Sequence, residues 1–79
     1  MKVRVKLFSI LREYVPGYNP QRGIEADLAD DAKVSDLLSH LGIPLSEAPV
    51  ATCNGLVLQH GDRIQEESTI ELFQSMAGG

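Results

Sequence analysis

A chain of 79 residues, 43% hydrophobic and 23% charged, with a formal net charge of -4 and a pI near 4.9, reads as one small folded domain. The acidic balance argues against a nucleic-acid surface, which needs clustered Lys and Arg, and a lone cysteine, Cys53, excludes an intramolecular disulfide and a cysteine-based zinc site. No charged-then-apolar leader opens the sequence and no apolar run approaches the roughly 18 residues of a membrane span, so a soluble cytoplasmic protein is expected.

Met1 to Ile10 alternates, with Val3, Val5 and Leu7 on one face and Lys2, Arg4 and Lys6 on the other, which predicts a half-buried strand. Leu11 to Tyr14 can make one helical turn. Pro16, Gly17 and Pro20 then impose a loop. Gly23 to Leu28 alternates again, with Ile24, Ala26 and Leu28 inward and Glu25 and Asp27 outward. Antiparallel pairing of these two strands sets outward acids against outward bases, an arrangement that favours one register and carries no catalytic role.

Asp30-Asp31 is expected to cap a helix whose Val34, Leu37, Leu38 and Leu41 share one face of a 3.6-residue period. Gly42 ends it and Pro44 prevents its resumption. After a loop with a turn near Ser46-Glu47, Val50 to Cys53 and Leu56 to Leu58 flank Asn54-Gly55, a two-residue hairpin signal. Gln59 to Glu67 is polar, with a turn at Gly61-Asp62. Thr69 to Gln74 is a last strand with Ile70 and Leu72 inward and Glu71 and Phe73 outward.

The order is therefore strand, strand, helix, two short strands, strand. A hairpin, one helix on one face and a return that lays the last strand parallel beside the first is an α+β fold of β-grasp, ubiquitin-like type. A domain of residues 1–74 is expected, followed by a tail of residues 75–79 that leaves the tip of a central strand.

Groups fit for autonomous catalysis do not converge in this sequence. His40 and His60 have no metal-ligand spacing to each other or to Cys53 and read as solvated, and Cys53 reads as a small buried side chain with nothing basic nearby. Ser9 and Ser35 have no partnered base, and the glycines form no phosphate loop. What remains is the ending Ser75-Met76-Ala77-Gly78-Gly79. Packing does not call for two terminal glycines, since glycine buries nothing and loses the most backbone entropy on ordering, although an inert end is common. Phe73 on the outward strand face and Met76 in the tail are apolar without an obvious partner, which points to docking, the alternative being that each folds back onto the edge of the core.

Taken together, these features resemble the MoaD/ThiS family of ubiquitin-like sulfur carriers. The Lys-Val-Arg-Val-Lys-Leu-Phe opening followed by Leu11-Arg12-Glu13 is similar to the first strand and short helix of the molybdopterin synthase small subunit. Val34-Ser35-Asp36-Leu37-Leu38 through Leu41-Gly42 resembles the family helix, Asn54-Gly55 the family hairpin, and Ile70 to Gly79 the final strand and tail. Phe73-Gln74 and Ala77-Gly78-Gly79 are similar to the thiazole-pathway carrier, whereas the extra residues Leu11 to Gln21 favour the molybdopterin type. The sequence departs from the family in holding Glu66-Glu67-Ser68 where an Asp-Gly-Asp turn is usual, and Ser75-Met76 before Ala77 in place of a Pro-Pro-Val type ending.

The resemblance implies that the Gly79 carboxylate is the reactive group. It would be adenylated and converted to a thiocarboxylate that donates sulfur in molybdenum or tungsten cofactor synthesis, with Gly78, Ala77, Met76 and Phe73 contacting partners. The chain binds no metal or cofactor by itself on this reading. ATP and Mg2+ belong to an adenylating enzyme of MoeB/ThiF type, and the sulfur passes to a larger catalytic subunit of MoaE type or to a thiazole synthase. The alternatives are a thiamine-thiazole carrier, a ubiquitin-like modifier conjugated to proteins through Gly79, and an interaction module with an inert tail.

Overall fold

The computed structural model describes residues 1–47 and 49–74. Strands β1 (Lys2–Leu7) and β2 (Ile24–Asp27) precede helix α1 (Val34–Leu41), followed by β3 (Pro49–Cys53), β4 (Leu56–Leu58) and β5 (Thr69–Gln74). Short 3-10 helices occupy Ser9–Tyr14 and Leu45–Glu47. The strands form one sheet in the order β2-β1-β5-β3-β4, with β5 parallel to β1 and antiparallel to β3. This is the expected β-grasp arrangement, and it puts the last strand in the middle of the sheet.

Alternation decides which residues enter the core. Val3, Val5 and Leu7 of β1, Ala26 of β2, Ala51 and Cys53 of β3, and Ile70 and Leu72 of β5 all face α1, which returns Val34, Leu37 and Leu38. Each fully buried Leu or Ile here contributes about 1.5 to 3 kcal/mol relative to an exposed position. The expected register of β1 and β2 is observed, Lys2 opposite Asp27 and Arg4 opposite Glu25. The ion pairs of Glu25 with Lys2 and Arg4, each 3.9 Å, are exposed and so orient more than they stabilise. Ile24 and Leu28, expected inward, are half-buried at the sheet margin.

Four details correct the sequence reading. First, β1 stops at Leu7 rather than Ile10, because Ser9 takes a left-handed φ of 55° and turns the chain into the 3-10 helix. Second, α1 is not capped by Asp30-Asp31: its N-cap is Lys33, whose backbone N–H donates to the Asp36 carboxylate at 2.8 Å. The cause is a non-local pairing. Lys33 bridges to Arg63, Ile64 N–H donates to the Ala32 carbonyl, and the first helical N–H groups of Val34 and Ser35 donate to the carbonyls of Asp62 and His60. Lys33 is thereby held extended, and the helix starts at Val34. Third, the polar stretch from Gln59 to Glu67 contributes Ile64 to the core. Fourth, His60 is not simply solvated: it is half-buried with Nε2 2.8 Å from the Pro49 carbonyl oxygen, and since a carbonyl only accepts, Nε2 carries the proton. His40 is exposed on α1, as expected.

Helix α1 ends as expected at Gly42, at φ 76°, with Ile43 N–H reaching back to the Leu38 carbonyl at 2.9 Å. Gly23 is required for a different reason. Its φ is 71°, and a Cβ there would sit 2.7 Å from the Val5 carbonyl oxygen, so the entry to β2 admits no side chain.

Candidate functional site

The described chain ends at Gln74 in β5, flanked by β1 on one side and β3 on the other. Of the residues expected to act, Gly79, Gly78, Ala77 and Met76 lie outside the described residues; Phe73 lies within them. The pairing of Leu7 with Leu72 places Phe8 beside Phe73, and the pairing of β3 with β5 places Val50 opposite Phe73. Phe8, Phe73 and Val50 thus make one apolar row across three strands on the sheet face away from α1, at the end where the chain leaves β5.

The next row on this face is polar, with Lys6, Glu71 and Thr52 in register. Thr52 Oγ1 donates to Glu71 Oε1 at 3.5 Å. The row beyond holds Arg4 and Thr69, bordered by Glu25 of β2. Among the described residues, apolar character on the outer face is therefore concentrated in the row of Phe8, Phe73 and Val50, with the exposed Val57 of β4 at the β4 end of the row of Lys6, Glu71 and Thr52.

Phe73, expected as an outward residue, is half-buried because it stacks on Phe8, with ring centroids 4.6 Å apart and planes at 12°. Neither ring belongs to the core cluster under α1. Among the described residues the stack is a part-exposed aromatic patch outside the core cluster.

Arg12 and Tyr18, which sequence reasoning did not single out, complete this end of the sheet. The even-numbered residues of β1 direct their backbone groups toward β5, as Arg4 N–H to Ser68 and Phe8 N–H to Leu72 demonstrate. Leu7 therefore faces the β2 side, where pairing has already ended at Val5 and Ile24. Two side chains stand in for the missing strand: the Tyr18 hydroxyl accepts the Leu7 N–H at 2.8 Å, and Arg12 Nε donates to the Leu7 carbonyl at 2.9 Å. Such buried or part-buried backbone groups need partners, which explains a tyrosine and an arginine in a loop. The signal available in the sequence was the position of Phe8, one residue past the buried Leu7 and hence outward; nothing local marks Arg12.

At the end of β5, Gln74 Nε2 donates to Glu47 Oε1 at 3.5 Å. Partial burial, followed by the charge of Glu47, raises the Tyr14 hydroxyl above its ordinary value of 10.0. The last two described residues of β5 are thus tied to Phe8 by ring stacking and to Glu47 by a hydrogen bond.

Cys53 is buried, as expected, but Arg63 lines the same shallow hollow with Leu56, Leu58 and Gln65, a basic neighbour that the sequence did not reveal. Among the described residues no group of three or more His, Cys, Asp or Glu is placed to hold a metal ion, and no helix is long and apolar enough to cross a membrane.

A family model described as the ThiS family matches residues 5–79. No match is found among curated proteins. The chain is similar to the crystal structure of SAMP1 from Haloferax volcanii, with a TM-score of 0.70 and 24% identity over 100% of both chains. It is also similar to the crystal structure of H. volcanii small archaeal modifier protein 1, with a TM-score of 0.71 and 22% identity over 95% of this chain and 98% of that one. At these identities the likeness is one of fold.

Proposed function

The chain belongs to the ThiS family, ubiquitin-like proteins that serve as carriers or modifiers, and from that premise we propose that it is a sulfur carrier whose reactive group is the Gly79 carboxylate. The observation that supports this reading is the position of β5: the last described strand, five residues short of Gly79 in the sequence, is the middle strand of the sheet and carries one ring of a part-exposed aromatic stack. Residues 1–74 are the support and residues 75–79 the working end.

Two residues without side chains can thread a narrow channel in a partner and take backbone angles closed to others. A carboxylate oxygen of Gly79 attacks the α-phosphorus of ATP held with Mg2+ by an adenylating enzyme, pyrophosphate leaves, and an acyl-adenylate forms. A donor's sulfur nucleophile, at the oxidation level of sulfide, then displaces AMP and leaves a C-terminal thiocarboxylate. The carrier supplies the terminus and its surface; the electrostatic stabilisation of phosphoryl chemistry comes from the partner. It is a carrier or small subunit of a sulfurtransferase rather than an enzyme alone.

The acceptor is a pterin precursor in molybdenum or tungsten cofactor synthesis, delivered within a complex with a larger catalytic subunit. The resemblance favours this subfamily over the thiazole carriers through the extra residues Leu11 to Gln21. The test is pyrophosphate–ATP exchange by the adenylating enzyme of the same organism. Exchange should require this chain with Gly79 present. Exchange that proceeds equally with a chain lacking Gly79 would remove the reading.

A second reading is protein modification, supported by likeness to structures described as a small archaeal modifier protein. Isopeptide conjugates linked through Gly79 and resistant to reductant would favour it, and a thiocarboxylate without conjugates would favour the carrier.

A further inference from the structure

Finishing the backbone pairing of β1 uses only one of Arg12's nitrogens. With Nε donated to the Leu7 carbonyl at 2.9 Å, the guanidinium carbon lies 5.9 Å from the Phe8 ring centre and 5.8 Å from the Tyr18 ring centre. The Nε bond fixes the guanidinium at one edge while the rings approach it, so that among the described residues the Nη1 and Nη2 edge has no hydrogen-bond partner and can donate to a ligand. Arg12 is exposed, and among the described residues it forms no ion pair; those present use the N-terminus, Lys2 and Arg4.

An exposed arginine normally samples many rotamers, and the entropy of fixing it opposes binding. Here that ordering is already done by the fold, and what is presented is a planar two-nitrogen fork of the shape that takes a carboxylate in two parallel hydrogen bonds. Its surroundings select the kind of partner. Phe8 and Phe73 form an apolar, aromatic surface directly beside it. A free phosphate would need several converging cations, which a chain of net charge -4 with one arginine at this place does not provide. A protein surface with an acidic side chain set in an apolar rim fits both features, and Arg with aromatic rings is the composition on which binding energy concentrates at such interfaces.

We propose that Arg12, held edge-outward beside the Phe8–Phe73 stack, is the receptor for an Asp or Glu side chain of the ATP-dependent adenylating partner, and so sets how the tail is presented to ATP. This rests on the carrier reading above. Arg12 is a positioning residue, acting on affinity and orientation rather than on the reacting atoms.

The experiment measures adenylation of the full chain by the adenylating enzyme of the same organism, across a salt series, for the wild type, Arg12→Gln, Arg12→Lys and the exposed control Arg22→Gln. A glutamine can still donate to the Leu7 carbonyl, and thermal melts identify any variant that has lost its fold. Arg12→Gln should raise the KM for the carrier about tenfold with kcat within about twofold of wild type, and should flatten the salt dependence; Arg12→Lys should fall between, and Arg22→Gln should match wild type. In Arg12→Lys, carbodiimide treatment of the complex should join position 12 to an Asp or Glu of the enzyme. A KM and salt slope unchanged in folded Arg12→Gln, or Arg12-dependent self-association of the chain with no effect on the enzyme, would overturn the proposal. If the wild type is not adenylated at all, the carrier reading fails, and binding without ATP then judges Arg12 by itself: binding weakened by Arg12→Gln upholds the contact, and binding absent or unchanged overturns it.

Discussion

Phe8 and Phe73 stack at 4.6 Å, one ring from the residue that follows β1 and the other from the last turn of pleat in β5, so the two parallel central strands are pinned together on the face opposite α1. Their separation from the core cluster gives this pair a measurable signature: it should matter more for docking than for stability.

Phe73→Ala should therefore cost about 1 to 2 kcal/mol in urea unfolding, less than the roughly 3 to 5 kcal/mol of a core phenylalanine. The same variant should weaken binding to the adenylating partner about tenfold or more, as expected of an aromatic anchor. Titration of both variants, Phe8→Ala and Phe73→Ala, against the partner checks this; a core-sized stability loss with unchanged binding would reassign the stack to folding alone.

Gly23→Ala should destabilise the domain by more than Gly17→Ala, although both glycines have positive φ, 71° and 78°. At Gly17 a Cβ meets nothing within 4 Å, leaving only the left-handed penalty of about 1 to 2 kcal/mol, whereas at Gly23 it also meets the Val5 carbonyl oxygen. Thermal unfolding of the two variants measures the difference, and equal melting temperatures would contradict it.

Asp36→Ala should lower stability by about 0.5 to 2 kcal/mol through loss of the hydrogen bond from Lys33 N–H, while Asp31→Ala should change it by less than about 0.5 kcal/mol. Denaturant unfolding of both separates the observed cap from the one that the sequence alone favoured.

That contrast indicates what was legible in the sequence and why. Period-two alternation in Val3, Val5 and Leu7 and again in Ile70 and Leu72, together with the helical spacing of Val34, Leu37 and Leu38, was enough to order the elements and recover the sheet topology. These are local signals. The features that were missed depend on residues far apart in the chain: Lys33 bridging Arg63 moves the helix start, Ile64 enters the core from a polar stretch, and Phe8 finds Phe73 across the sheet. Arg12 was invisible for the same reason, since its hydrogen bond exists only because β2 ends before Leu7 loses its need for a partner. Gly78 and Gly79 lie outside the described residues, so their proposed role rests on their chemistry and on the family resemblance.

Removing Gly78 and Gly79 should leave the unfolding midpoint unchanged, since the core cluster and the five paired strands lie within residues 1–74, and should abolish adenylation. A chain lacking Ser75 to Gly79 should fold as well as the full one. Loss of the cooperative transition on either truncation would show that the tail belongs to the domain.

The most direct measurement is the intact mass of the chain after incubation with ATP, Mg2+, a sulfur donor and the adenylating partner, with the C-terminal peptide fragmented to locate any change. The carrier account predicts a shift equal to replacement of one oxygen by sulfur, localised to Gly79 and dependent on ATP. An unchanged mass under conditions in which the partner turns over ATP with this chain, or a sulfur found elsewhere, would contradict it.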